Sequence, residues 1–83
     1  MKTISFFENK NIISARLRIA RERAKLTQEL LAKRLQLLGV GIDQQAISKI
    51  ERNARIVTDY ELKCLCKILK VEEKWLLAEF SID

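Results

Sequence analysis

Apolar residues recur along this chain at intervals of three and four, the spacing of helices that each bury one face. Ile13, Leu17, Ala20 and Ala24 fall at i, i+4, i+7 and i+11 behind Asn11, so a first helix capped by Asn11 is expected to reach about Lys25. Leu31, Leu35 and Leu38 repeat the spacing in a second helix, with Leu30 and Ala32 widening its stripe. Thr27 stands before it as N-cap, and Gln28 and Glu29 follow where free backbone N–H groups favour acceptors and negative charge. Gly39 and Gly41, the only glycines, then mark a turn that needs a permissive backbone. Asp43 can cap a third helix with Ile47 and Ile50 inward and Gln45, Ser48, Lys49 and Arg52 on its open side. That open side carries hydrogen-bonding tips and little carbon.

After Arg52 comes a short loop, Asn53 to Val57, and then Thr58-Asp59-Tyr60-Glu61, which fits a capping box and starts a fourth helix. Leu62, Leu65 and Leu69 form its core face, flanked by Cys66 and Ile68, while Lys63, Lys67 and Lys70 form a separate row. That row reads as a solvated face, with phosphate contact as the alternative. The fourth helix ends at Val71, and a short last one begins at Glu72 or Glu73 and carries Trp75, Leu76, Leu77 and Phe80. Trp75 and Phe80 read either as core or as an apolar patch for a two-fold contact. Residues 1–10 lack a clear period. Phe6 and Phe7 there either lie on the domain or belong to an arm that meets a partner.

Two charged residues interrupt the apolar stripes. Arg21 lies four residues after Leu17, and Glu51 four after Ile47, each at the edge of a buried face where an unpaired charge is costly. Either the two meet as a bidentate pair tying the first helix to the third, or each reaches out to water.

Composition narrows the class. No proline occurs, and helix formers dominate the 83 residues, so one small all-α domain is expected, without a second, ligand-sensing one. No signal peptide or membrane span is evident, so a cytoplasmic protein is expected. The formal charge of +5 is uneven: residues 10–34 hold eight basic side chains against Glu22 and Glu29, whereas residues 56–83 hold four lysines against six acids. A basic half beside a near-neutral one suits a polyanion such as DNA. Cys64 and Cys66, two apart on a helix, point in different directions and are expected as reduced, partly buried thiols. Two cysteines and no histidine supply neither a four-ligand zinc site nor a nucleophile–histidine pair, so neither metal, cofactor nor enzymatic activity is expected.

In this order, LRIARERAKLTQELLAKRL, DQQAISKIER and VEEKWLL resemble the phage repressor and Cro-like (XRE) helix-turn-helix regulators over about residues 12–78. The resemblance implies a compact five-helix, lambda-repressor-like DNA-binding domain over residues 11–80, its helix-turn-helix at about 27–52, between an N-terminal arm at 1–10 and a tail at 81–83. The third helix would enter the major groove of double-stranded DNA, with Gln44, Gln45 and Lys49 reading bases and Ser48 supporting them. Thr27 and Gln28 would meet the backbone on one side, Gln28 also orienting Gln44, and Arg52, Asn53 and Arg55 the other side. It also implies an ion pair between Arg21 and Glu51. One recognition helix reads only a few base pairs, so a homodimer on a pseudo-palindromic operator is expected, repressing transcription by occupying it, with Trp75 and Phe80 as candidate contacts and no small-molecule ligand. The alternative is a protein-binding module of the same fold, such as an antitoxin or anti-repressor. This chain departs from the usual pattern in the stretch from Leu35 to Asp43, about five residues longer than a short turn, as a longer second helix or an expanded loop.

Overall fold

The computed structural model describes residues 6–80, so residues 1–5 of the expected arm and the 81–83 tail lie outside the described residues. Among the described residues five helices follow one another: α1 (Ser14–Arg23), α2 (Gln28–Leu37), α3 (Gln44–Glu51), α4 (Asp59–Leu69) and α5 (Glu73–Leu77). Leu17 of α1, Leu31 and Leu35 of α2, Ile47 and Ile50 of α3, Leu65 of α4 and Leu76 of α5 are fully buried. Each such side chain contributes roughly 1.5–3 kcal/mol by leaving water. The stripes expected from spacing therefore converge on one core, in which α2 packs on α3 and α4, α1 on α3, and α5 on α4.

Three helices start on side-chain caps where the sequence put them. Thr27 Oγ1 accepts from the Leu30 N–H and Asp43 Oδ1 from the Ala46 N–H, and Thr58 and Glu61 form the full reciprocal box. The first helix differs. Its N-cap position is Ile13, without a side-chain cap, and Asn11 sits two residues earlier with its Oδ1 accepting from the Ile13 N–H. Asn11 is thus a turn residue and not the cap: its Oδ1 is taken by the Ile13 N–H ahead of the helix, and its Nδ2 donates to the carbonyls of Ile50 in α3 and Arg55 in the loop after it. This helix also ends at Arg23, which leaves Ala24 exposed, and Leu26 closes the core instead.

The extended turn is an expanded loop. α2 stops at Leu37 with Leu38 at its C-cap, and Gly39 takes φ +90°, a conformation that favours glycine, so that the Val40 N–H can reach the Leu35 carbonyl. Leu38, expected on the buried face, is 43% exposed, and Leu30 is exposed as well. Their places in the core go to Val40 and Ile42, loop residues that are 5% and 2% exposed. Gln36 Nε2 donates to the Ile42 carbonyl at 2.9 Å and fastens the loop to α2.

Candidate nucleic-acid interface

The geometry of α3 follows from what it buries. Ile47 and Ile50 are sealed in the core, which rotates Gln44, Gln45, Lys49 and Arg52 into solvent and leaves Ser48 half-buried at the edge. Asp43 fixes where the helix begins, so the two glutamines project from its first turn. The ridge of donors and acceptors anticipated from the sequence is exposed at Gln44, Gln45, Lys49 and Arg52.

Behind the ridge stands Glu51. Arg21 meets it bidentately, Nε to Oε2 at 2.6 Å and Nη2 to Oε1 at 3.1 Å, while Arg21 Nη1 donates to the Leu26 carbonyl. The ion pair expected between α1 and α3 is therefore present, and the Arg18 guanidinium lies 3.6 Å from the same carboxylate. Burial pushes the Glu51 carboxyl up, but hydrogen bonds from Arg21 and Gln28 and the charges of Arg21 and Arg18 outweigh it and hold it below the usual carboxylate range. The same hydrogen bond raises the Arg21 guanidinium against the opposing effect of burial.

Gln28 links this pair to the surface. Its Nε2 donates to Glu51 Oε1 at 3.1 Å, and its Oε1 accepts from Gln44 Nε2 at 2.8 Å. The carboxylate only accepts, so Gln28 must turn its NH₂ inward and its carbonyl outward, and Gln44 must answer with its own NH₂. Gln44 is left with a free carbonyl oxygen and one remaining N–H, the acceptor–donor combination that matches the N6/N7 edge of adenine. Gln28 and Thr27 also open α2, where the first backbone N–H groups lack helical partners and suit a phosphate oxygen.

On the other side of the ridge, two of the three expected backbone contacts are engaged within the protein. Asn53 adopts the left-handed conformation, φ 58°, that closes α3, and its Oδ1 accepts from the Lys10 and Asn11 N–H groups. Arg55 forks onto Glu61, Nη1 to Oε1 at 2.9 Å and Nη2 to Oε2 at 3.0 Å, and reaches the Ile56 carbonyl. Arg52 remains exposed. Sequence reasoning missed the Arg55–Glu61 pair because it assigned Glu61 to the capping box alone. Glu61 does both, since its Oε1 also accepts from the Thr58 N–H. Burial raises the Glu61 carboxyl, and the Arg55 and Thr58 hydrogen bonds more than reverse this, leaving it lowered.

Trp75 and Phe80 are both partly covered by their own chain. The Arg16 guanidinium lies 4.9 Å above the indole and that of Arg23 5.8 Å away, and Arg16 Nη1 donates to the Trp75 carbonyl. Phe80 packs against Phe6 and Phe7 with ring centroids 5.3 and 5.8 Å apart. Cys64 is half-buried and Cys66 buried, both free; burial, with the nearby Glu73 charge, pushes the Cys66 thiol up to about 11.

Five helices around one core, with a capped polar helix presented beside the N-terminus of its predecessor, define a helix-turn-helix DNA-binding domain. A helix-turn-helix family model matches residues 17–76, and the chain belongs to that family, in its XRE type, whose members are DNA-binding transcription regulators. No curated protein and no solved structure matches it. Among the described residues, no helix is long and apolar enough to cross a membrane.

Proposed function

We propose that this protein is a transcriptional repressor that binds a pseudo-palindromic operator as a homodimer in the cytoplasm. The observation that carries the reading is the Gln44 amide, exposed on α3 and held in one orientation by Gln28 and Glu51. A pre-oriented amide discriminates base edges, whereas a solvated surface glutamine has no reason to be fixed. Gln44, Gln45 and Lys49 read bases, with Ser48 beside them; Thr27, Gln28 and Arg52 hold phosphates, and Asn53 and Arg55 keep the far loop in shape. Lys49 donates to the O6 and N7 acceptors of guanine.

A single recognition helix covers only a few base pairs, which argues for two half-sites and two copies. Phe7, Tyr60 and Leu77 are exposed, and Phe80 is half-exposed among the phenylalanines, giving a second copy apolar surface to cover.

Selection of bound duplexes from a random pool tests the reading directly. A palindromic winner is expected, and Lys49→Ala should then lose about 1–3 kcal/mol on that site and relax preference at a single base pair per half-site. Equal binding to all duplexes by the wild-type protein would exclude sequence-specific repression.

A further inference from the structure

A segment outside the helices is ordinarily loose unless something fastens it. Here five hydrogen bonds fasten residues 9–11 to the end of α3 and the loop after it. Asn53 Oδ1 accepts from the Lys10 N–H at 2.8 Å and the Asn11 N–H at 3.1 Å, and Asn53 Nδ2 donates to Asn9 Oδ1. Asn11 Nδ2 donates to the Ile50 and Arg55 carbonyls, each at 3.0 Å. Asn11 is buried, so its two donors are committed to the protein, while Lys10 between the two asparagines is exposed.

The loop gripped in this way is the one whose Asn53 and Arg55 were expected at the DNA backbone. Both side chains are turned to internal partners, and the residue drawn alongside them is a lysine. Asp59 lines the same groove as Lys10, but its Oδ1 accepts from the Tyr60 N–H at the start of α4. No ion pair among the described residues involves Lys10.

We propose that Lys10 is a phosphate-contacting residue of the DNA interface, brought to the far side of the recognition helix by the clasp of Asn53 on residues 9–11. The proposal rests on the DNA-reading role of α3 and adds to it a cation from outside the helix-turn-helix. A lysine ammonium on a long stem neutralises one phosphate without reading sequence. Asn53 acts through Lys10, as a positioning residue.

The test is the salt dependence of duplex binding by the full chain. Lys10→Ala should lower the steepness of the log affinity–log salt plot by about 0.9, the value of one released counterion, and weaken cognate and random duplexes by the same factor. Asn53→Gly keeps the left-handed backbone and removes the clasp, so it should reduce the slope similarly, and Lys10→Ala should then add little to it. Melting curves of both variants establish that they fold.

An unchanged slope for folded Lys10→Ala, or a loss confined to certain sequences, overturns the proposal. If in the same assay Lys49→Ala alters base preference while Lys10→Ala does nothing, readout by α3 stands and only the lysine contact falls. If the wild-type protein binds no duplex in dilute salt, the readout falls and the contact with it.

Discussion

Two carboxylates inside this small domain, Glu51 and Glu61, each meet an arginine fork and a second donor, Gln28 for one and the Thr58 N–H for the other. Removing one partner of such a pair leaves the other charge buried and alone, which costs more than the pair contributes as a whole. Glu51→Ala should therefore destabilise the domain by about 3–5 kcal/mol, a fall in Tm of more than ten degrees at this chain length, where about 1 kcal/mol corresponds to 4–8 °C. A melting temperature that does not move would mean the pair is solvated. Both carboxyls titrate below their ordinary range in the folded protein. A lowered folded value means the unfolded chain takes up protons first. The stabilisation is complete above the ordinary carboxylate value of 4.5 and is lost as pH falls through the lowered folded values. Urea midpoints measured between pH 7 and 3 should be flat at first and then drop. Replacing Glu51 should flatten that drop.

The helix ends repeat one device that the sequence disclosed only in part. Lys25, Gly39, Asn53 and Lys70 all take positive φ just past a helix, and the next residue's N–H bonds back to a carbonyl of the last turn: Leu26 to Arg21, Val40 to Leu35, Ala54 to Lys49 and Val71 to Cys66. Glycine at 39 and asparagine at 53 are the residues that signal such a closure. The lysines at 25 and 70 signal nothing, so spacing carries both helices two residues too far, to Lys25 where α1 ends at Arg23 and to Val71 where α4 ends at Leu69, and puts Ala24 in the core. Lys70→Gly should relieve the left-handed strain, partly offset by the freedom glycine has when unfolded, for a net gain of about 0.5–1 kcal/mol and a higher Tm. No gain, or a loss, would show that the Lys70 stem packs usefully on its neighbours. Legibility elsewhere followed the same division. Helical stripes, three caps and the bare face of α3 are local in sequence and could be read from spacing. The burial of Val40 and Ile42 in place of Leu38 depends on how a six-residue loop folds back on the core, and the Arg55–Glu61 pair and the Asn53 clasp depend on which groups three-dimensional packing brings near. Neither leaves a periodic trace.

At the scale of the molecule, charge and shape bear on how the protein can sit on DNA. The basic excess of residues 10–34 belongs to α1, α2 and the segment before them, and the acidic excess to residues 56–83, so the net charge of +5 that favours a polyanion comes from the first half of the chain. The domain measures 32 × 29 × 19 Å, and its longest dimension is close to the roughly 34 Å that separates successive major grooves on one face of B-DNA. Two copies side by side can therefore present their α3 helices one helical turn apart without a linker between them. The consequence is a strict spacing rule. On a selected palindrome, inserting about 5 base pairs between the half-sites turns one of them to the opposite face, and affinity should fall toward that of a single half-site. Inserting about 10 base pairs restores the face but separates the copies by another 34 Å, beyond the reach of protomers this size, so it should not rescue binding. Tight binding to both spaced duplexes would mean that each copy binds alone and that the apolar surface around Phe80 serves something other than a second copy.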